Sequence, residues 1–188
     1  LLILSISCTD RKSISGAGYF DKGEYQQAIE LYTEHLKNDP DHTQTLYNRG
    51  RAYEELGKPD LATKDFEKII RLDDKNINAY LSLAKIAYHD QRFNKVIIYS
   101  GKALELNDNS AKANFLAARG AHQLGYFDQA LESYDNAITV NKDFGEAYLY
   151  RGALKISMKK VRAACEDFLA ARRLDIPEAQ KAFTDFCR

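Results

Sequence analysis

The sequence is poor in the residue patterns that mark enzymes. It contains no Gly-rich phosphate loop, no H-E-x-x-H, no G-x-S-x-G and no clustered acid pair of distinctive spacing. Nothing therefore points to catalysis or to a bound cofactor or metal. Cysteine is scarce as well. The three residues, Cys8, Cys165 and Cys187, show no C-x-x-C spacing, which excludes a disulfide-dense scaffold and a paired zinc or redox motif. Free thiols on helix faces are the expectation for Cys165 and Cys187. Their pairing, which would close a loop worth about 3 kcal/mol in the chain-entropy picture, is the alternative. Net charge is absent, 27 Lys and Arg against 27 Asp and Glu, so no global field draws the chain to nucleic acid or to an anionic membrane surface, and any charge-based recognition must be local. Only three prolines are present, Pro40, Pro59 and Pro177, and no strand-like alternation persists. An all-α fold is predicted.

The hydrophobic fraction of 45% is sufficient for a folded core. From Gly125 to Val140 the apolar residues Phe127, Ala130, Leu131, Tyr134, Ala137 and Ile138 keep the spacing of one helix face. The same pattern of small and aromatic residues returns every 34 residues. One column reads Gly16, Gly50, Ala84, Ala118, Gly152, and a second reads Ala28, Ala62, Val96, Ala130, Ala164. A third reads Tyr32, Phe66, Ser100, Tyr134, Phe168, and a fourth His35, Ile69, Ala103, Ala137, Ala171. Small residues let two helices approach, and the ring of the third column fills the space they leave. Gly23, Gly57 and Gly125 fall where a first helix ends, and Pro59 falls at a first-turn position. Two irregularities stand out. Ser100 and Ala87 stand in the third unit where rings are usual, a departure that leaves the unit's existence intact, and His35 is large for its column and should strain or loosen the pair unless it swings outward.

These columns resemble the tetratricopeptide repeat, through Gly16, Tyr19, Ala28, Tyr32 and Pro40 in the first unit and Gly50, Tyr53, Ala62 and Phe66 in the second. Ala118, Ala130, Tyr134 and Ala137 carry the match in the fourth unit, and Gly152, Ala164, Phe168 and Ala171 in the fifth. The resemblance implies a right-handed α-solenoid of antiparallel helix pairs, with five repeats over 9–176 (9–42, 43–76, 77–110, 111–144 and 145–176). The segment 177–188, with Ala179, Ala182, Phe183 and Phe186 on one face, is expected to cap the last repeat.

The first eight residues, Leu-Leu-Ile-Leu-Ser-Ile-Ser-Cys, are similar to the end of a bacterial lipoprotein signal, with Cys8 as the lipidated residue. The likeness is imperfect, since Ser5 stands where that family prefers Leu and Leu4 lies one place further out. It implies that upstream residues have been removed and that the chain is anchored in a bacterial envelope, facing the periplasm. A soluble cytoplasmic adaptor, in which Leu1 to Ser7 are a plain terminus or a buried extra turn, and a repeat domain cut from a larger enzyme or sensor are the alternatives.

In the family resembled, the first helices of the repeats line a concave groove that holds a partner. The corresponding column here is Ala17, Arg51, Lys85, Arg119, Ala153, three central cations in register. One turn away runs Ser13, Tyr47, Leu81, Phe115, Leu149, an apolar and aromatic ladder. Tyr88, His89, His122 and Gln123 add hydrogen-bonding groups. The resemblance thus implies a protein or peptide partner carrying a carboxylate and apolar anchors, steered by the cations. An ordinary solvated helix face is the competing account of the three cations. His89 and His122 occupy neighbouring inner-face positions, but two histidines without a carboxylate make a poor metal site. The family's carboxylate clamp for chaperone tails would need Lys, Asn and Arg where this chain has Ser13, Ala17, Asn48, Asn78 and Ser82. Only Asn48 fits, which disfavours a chaperone co-factor.

Overall fold

The computed structural model describes residues 16–187, so the expectations for Cys8, Ser13 and the start of the first repeat at Thr9 lie outside the described residues. Among the described residues there are eleven helices and no strand. They fall into two compact units that meet at Ile86 and Ala87. The first holds α1 (16–21), α2 (Tyr25–Asn38), α3 (Thr43–Glu55), α4 (Pro59–Leu72) and the opening of α5 (Ile77–His89). The second holds the end of α5, then α6 (Phe93–Leu106), α7 (Ala111–Gln123), α8 (Phe127–Val140), α9 (Gly145–Ser157), α10 (Val161–Arg173) and α11 (Pro177–Phe186). No helix of the described residues is long and apolar enough to cross a membrane.

Helix ends follow local chemistry. Ser110 Oγ accepts the Ala113 N–H at 3.2 Å at the start of α7, and His42 Nδ1 does the same for Thr45 N–H at the start of α3. Pro59 and Pro177 open α4 and α11, where a missing N–H costs no helix bond. After α7 the chain turns through Gly125 at φ 77°, a left-handed conformation that a β-carbon disfavours. At the matching turns after α5 and α9, Gln91 (φ 57°) and Lys159 (φ 60°) adopt it without that freedom.

Packing rests on rings seated against glycines. A β-carbon on Gly16 would lie 2.5 Å from Tyr32, one on Gly50 2.8 Å from Phe66, and one on Gly152 2.6 Å from Phe168. In the second unit Tyr134 is fully buried with Ala118, Ala130, Ala137 and Ala147. Where Ser100 replaces the ring, α6 packs by another route. Ser100 is buried and its Oγ donates to the Val96 carbonyl at 2.7 Å, while Val96 and Ile97 close on Gly120, whose added β-carbon would meet Val96 at 3.1 Å.

His35 does not swing outward. It is buried beside Thr45, with His35 Nδ1 to Thr45 Oγ1 at 3.2 Å and Thr45 Oγ1 to His42 Nδ1 at 2.7 Å. The chain of three side chains gives the buried ring a hydrogen-bond partner, the condition under which a polar group is tolerated in the interior.

A second correction concerns the thiols. Cys165 and Cys187 form a disulfide across 22 residues, with Cα atoms 5.6 Å apart, where free thiols were expected. Sequence spacing carries no information on that proximity, which arises because α11 folds back on α10. On α11 Ala179 is fully buried, whereas Phe186 is about half exposed and reaches Phe168 at a ring separation of 6.2 Å.

Two buried ion pairs repeat in register. Arg49 donates to Asp65 through Nε at 2.8 Å and Nη2 at 2.7 Å, and through Nη1 to Thr33 Oγ1 at 3.2 Å. Arg151 grips Asp167 in the same two-pronged way and reaches back to Asp135 at 2.6 Å. Each arginine thereby ties its own helix pair to the preceding second helix, α2 or α8.

Candidate functional site

The three cations in one sequence column have three different environments. Arg51 on α3 lies 3.3 Å from Glu54 and 3.9 Å from Glu55. Burial pulls its pKa down, but Tyr47, Glu54 and Glu55 together hold it above the ordinary arginine value. Lys85 on α5 also reaches Glu54, at 3.3 Å. These two charges are largely answered inside the first unit.

Arg119, in the second unit, is different. Its guanidinium carbon lies 3.8 Å from the centre of the Tyr88 ring and 4.4 Å from that of Tyr150, with Phe115 at 5.7 Å. No carboxylate of the described residues pairs with it. Each such ring contact contributes roughly 0.5 to 2 kcal/mol, depending on desolvation. The aromatic contacts hold the cation without neutralising it. Arg119 Nε and the Tyr134 hydroxyl are both buried without a hydrogen-bond partner. Burial raises the Tyr134 pKa, Arg119 pulling against it, so the hydroxyl stays protonated. Gln123 Nε2 donates to the Tyr88 hydroxyl at 3.4 Å and steadies that ring.

The other sequence candidates divide between core and surface. Leu81 and Phe115 are buried, which corrects the open apolar ladder. Phe115 packs at ring separations of 4.8 Å from Phe144, 5.7 Å from Tyr150 and 6.1 Å from Tyr134. It belongs to the interior, with the Arg119 guanidinium carbon 5.7 Å from its ring centre. Leu149 is half-buried on α9 and Tyr47 half-buried on α3. His89 is exposed next to Tyr88, and His122 is half-buried against the edge of Phe127 at 6.1 Å. Burial lowers the pKa of His122.

In the first unit a cavity of about 170 Å³ is lined by Ala17, Phe20, Asp21, Tyr32, Tyr47, Asn48 and Arg51. Its lining combines one carboxylate, Asp21, and one cation, Arg51, with the rings of Phe20, Tyr32 and Tyr47.

Sequence reasoning missed Tyr150 and Glu54. Glu54 was legible, since it follows Arg51 by three residues and so shares its helix face. Tyr150 was not, because only tertiary packing brings α9 over α7.

Family models described as tetratricopeptide repeat match residues 16–77, 47–95 and 111–144. The chain belongs to the tetratricopeptide repeat family. It is 35% identical over 101 residues to DnaJ homolog subfamily C member 7 of Homo sapiens, covering 49% of this chain and 20% of that protein. It is 29% identical over 82 residues to Hsp70-Hsp90 organizing protein 3 of Arabidopsis thaliana, covering 44% and 15%. It thus spans a fifth or less of the length of these curated relatives. Among solved structures, that of MamA superposes with a TM-score of 0.78 at 26% identity, over 88% of this chain and 96% of that one. This tetratricopeptide chain therefore has the all-α solenoid fold of the family and is a repeat scaffold similar to these proteins.

Proposed function

We propose that this tetratricopeptide protein is a non-catalytic scaffold that holds a protein or peptide partner through a carboxylate seated on Arg119. The observation that carries the reading is a cation stacked close to two rings, Tyr88 at 3.8 Å and Tyr150 at 4.4 Å, which no carboxylate of the described residues answers. Contact with the rings leaves the terminal N–H groups of the guanidinium for a ligand, although Nε is buried, and a carboxylate matches a pair of such donors. Leu149, Tyr88 and His122 stand on the same first helices of the second unit as flanking contacts. Arg51, Lys85, Tyr47 and His89 serve as secondary contacts, the first two softened by Glu54. Affinity is set at about micromolar, near −8 kcal/mol.

The test is titration with short peptides bearing a free C-terminal carboxylate or an amide in its place, followed by chemical-shift perturbation. The free acid binds, and Arg119→Gln weakens it by roughly ten- to hundred-fold, the range of a charged hydrogen bond. Equal binding of acid and amide, or of wild type and variant, would refute the assignment.

The same proposal places the chain in a bacterial envelope, lipid-anchored at Cys8 and facing the periplasm. The Cys165–Cys187 disulfide supports an oxidising compartment over the cytoplasm. Detergent partitioning that survives Cys8→Ala would count against the anchor. A second reading, a repeat domain of a longer protein, is favoured by the small share of its relatives' length that the chain spans.

A further inference from the structure

The turn between α9 and α10 is strongly basic in a chain without net charge. From Ala147 to Cys165 there are five cations, Arg151, Lys155, Lys159, Lys160 and Arg162, and no carboxylate. Two of them are committed within the fold, Arg151 to Asp135 and Asp167, and Lys155 to Asp167 at 2.7 Å. The other three are exposed and pair with no carboxylate of the described residues. They surround Val161, which is 48% exposed, on a shallow depression whose one acid is Glu166.

The backbone adds a second observation. Lys159 occupies, at φ 60°, the left-handed position that Gly125 fills in the preceding hairpin. Gln91 takes the same conformation at the equivalent turn after α5, so the distinguishing feature of the last hairpin is the cation that Lys159 puts at its tip. In that preceding hairpin Tyr126 is 52% exposed and Phe127 36% exposed, at the positions equivalent to Lys160 and Val161. Asp128 stands where the last hairpin has Arg162. Equivalent positions on successive hairpins lie along one edge of a repeat stack. The edge thus carries apolar and aromatic side chains flanked by an excess of unanswered cations.

We infer that this edge, Tyr126, Phe127, Lys159, Lys160, Val161 and Arg162, docks on an anionic phospholipid surface. Phosphate headgroups answer the cations, while Tyr126, Phe127 and Val161 enter the boundary between headgroups and acyl chains. A nucleic acid would answer the same cations but would leave Val161 in water, which makes lipid the better match.

The experiment is co-sedimentation of the full, unlipidated chain with vesicles of phosphatidylcholine alone or mixed with phosphatidylglycerol. Wild type partitions onto the mixed vesicles and not onto phosphatidylcholine. Each cation near such a surface contributes about five-fold, so K159Q/K160Q/R162Q lowers partitioning by about a hundred-fold. Its far-UV circular dichroism and melting temperature stay at wild-type values, since the three side chains hold nothing within the fold. K160Q alone, which touches neither strained backbone nor helix interior, lowers partitioning about five-fold and keeps the test valid if the triple variant misfolds. Val161→Ser weakens binding to mixed vesicles without removing its dependence on phosphatidylglycerol. Equal binding to both vesicle types, no binding to either, or unchanged binding by the charge variants overturns the assignment. Tighter binding of the wild type to an oligonucleotide than to the mixed vesicles overturns it as well.

Discussion

Replacing Arg49 by Met strips the cation from Asp65, a carboxylate only 5% exposed, and removes a donor from Thr33. Loss of one member of a buried ion pair costs about 3 to 5 kcal/mol, because the remaining charge is left uncompensated in a poorly solvated place. The Arg49 side chain is 18% exposed, so water partly reaches the site and the lower end, about 3 kcal/mol, applies. For a chain of this size each kcal/mol moves the melting temperature by about 2 to 4 °C, which gives a fall of about 6 to 12 °C. The double variant Arg49→Met/Asp65→Leu removes both charges and should return to within about 1 kcal/mol of wild type. The assay is thermal unfolding by circular dichroism at neutral pH on wild type, both singles and the double. A strong coupling energy is expected. If the two single effects simply add, the pair is behaving as a solvent-screened surface bridge, and the view of Arg49 and Arg151 as ties between adjacent helix pairs fails.

Gly152→Ala drives a β-carbon into Phe168 and should cost about 1 to 3 kcal/mol, whereas Gly101→Ala meets nothing within 4 Å and should add about 1 kcal/mol; comparative melting separates the two. Cys165→Ser opens the disulfide loop and should lower stability by about 3 kcal/mol, with reductant producing the same loss in wild type and none in the variant. Acidification should destabilise the second unit through His122. The unfolded chain takes up that proton near the ordinary value of 6.5 and the folded chain only at lower pH, so the contribution is complete above 6.5 and declines below it. His122→Gln should flatten this part of the melting-temperature profile.

The architecture was legible because a repeat states its packing rule several times. Gly50 with Phe66 and Gly152 with Phe168 announce the same contact in sequence, and the close approach in the structure is its physical form. The site was only partly legible. Arg51, Lys85 and Arg119 are equivalent by column, but a column records where a side chain starts and not what surrounds its charged end. Glu54 answers two of them, while Tyr88 and Tyr150 cover the third.

By itself, the sequence determined the all-α class, the 34-residue period, the small-against-large packing and the cations on the first helices, since each follows from spacing along one helix. Tertiary structure alone decided the burial of His35 beside Thr45, the Cys165–Cys187 bond, the interior place of Phe115 and the ring contacts of Arg119. These depend on side chains that meet across helices, and helical periodicity places a residue on a face without saying which residue of another helix will stand opposite it.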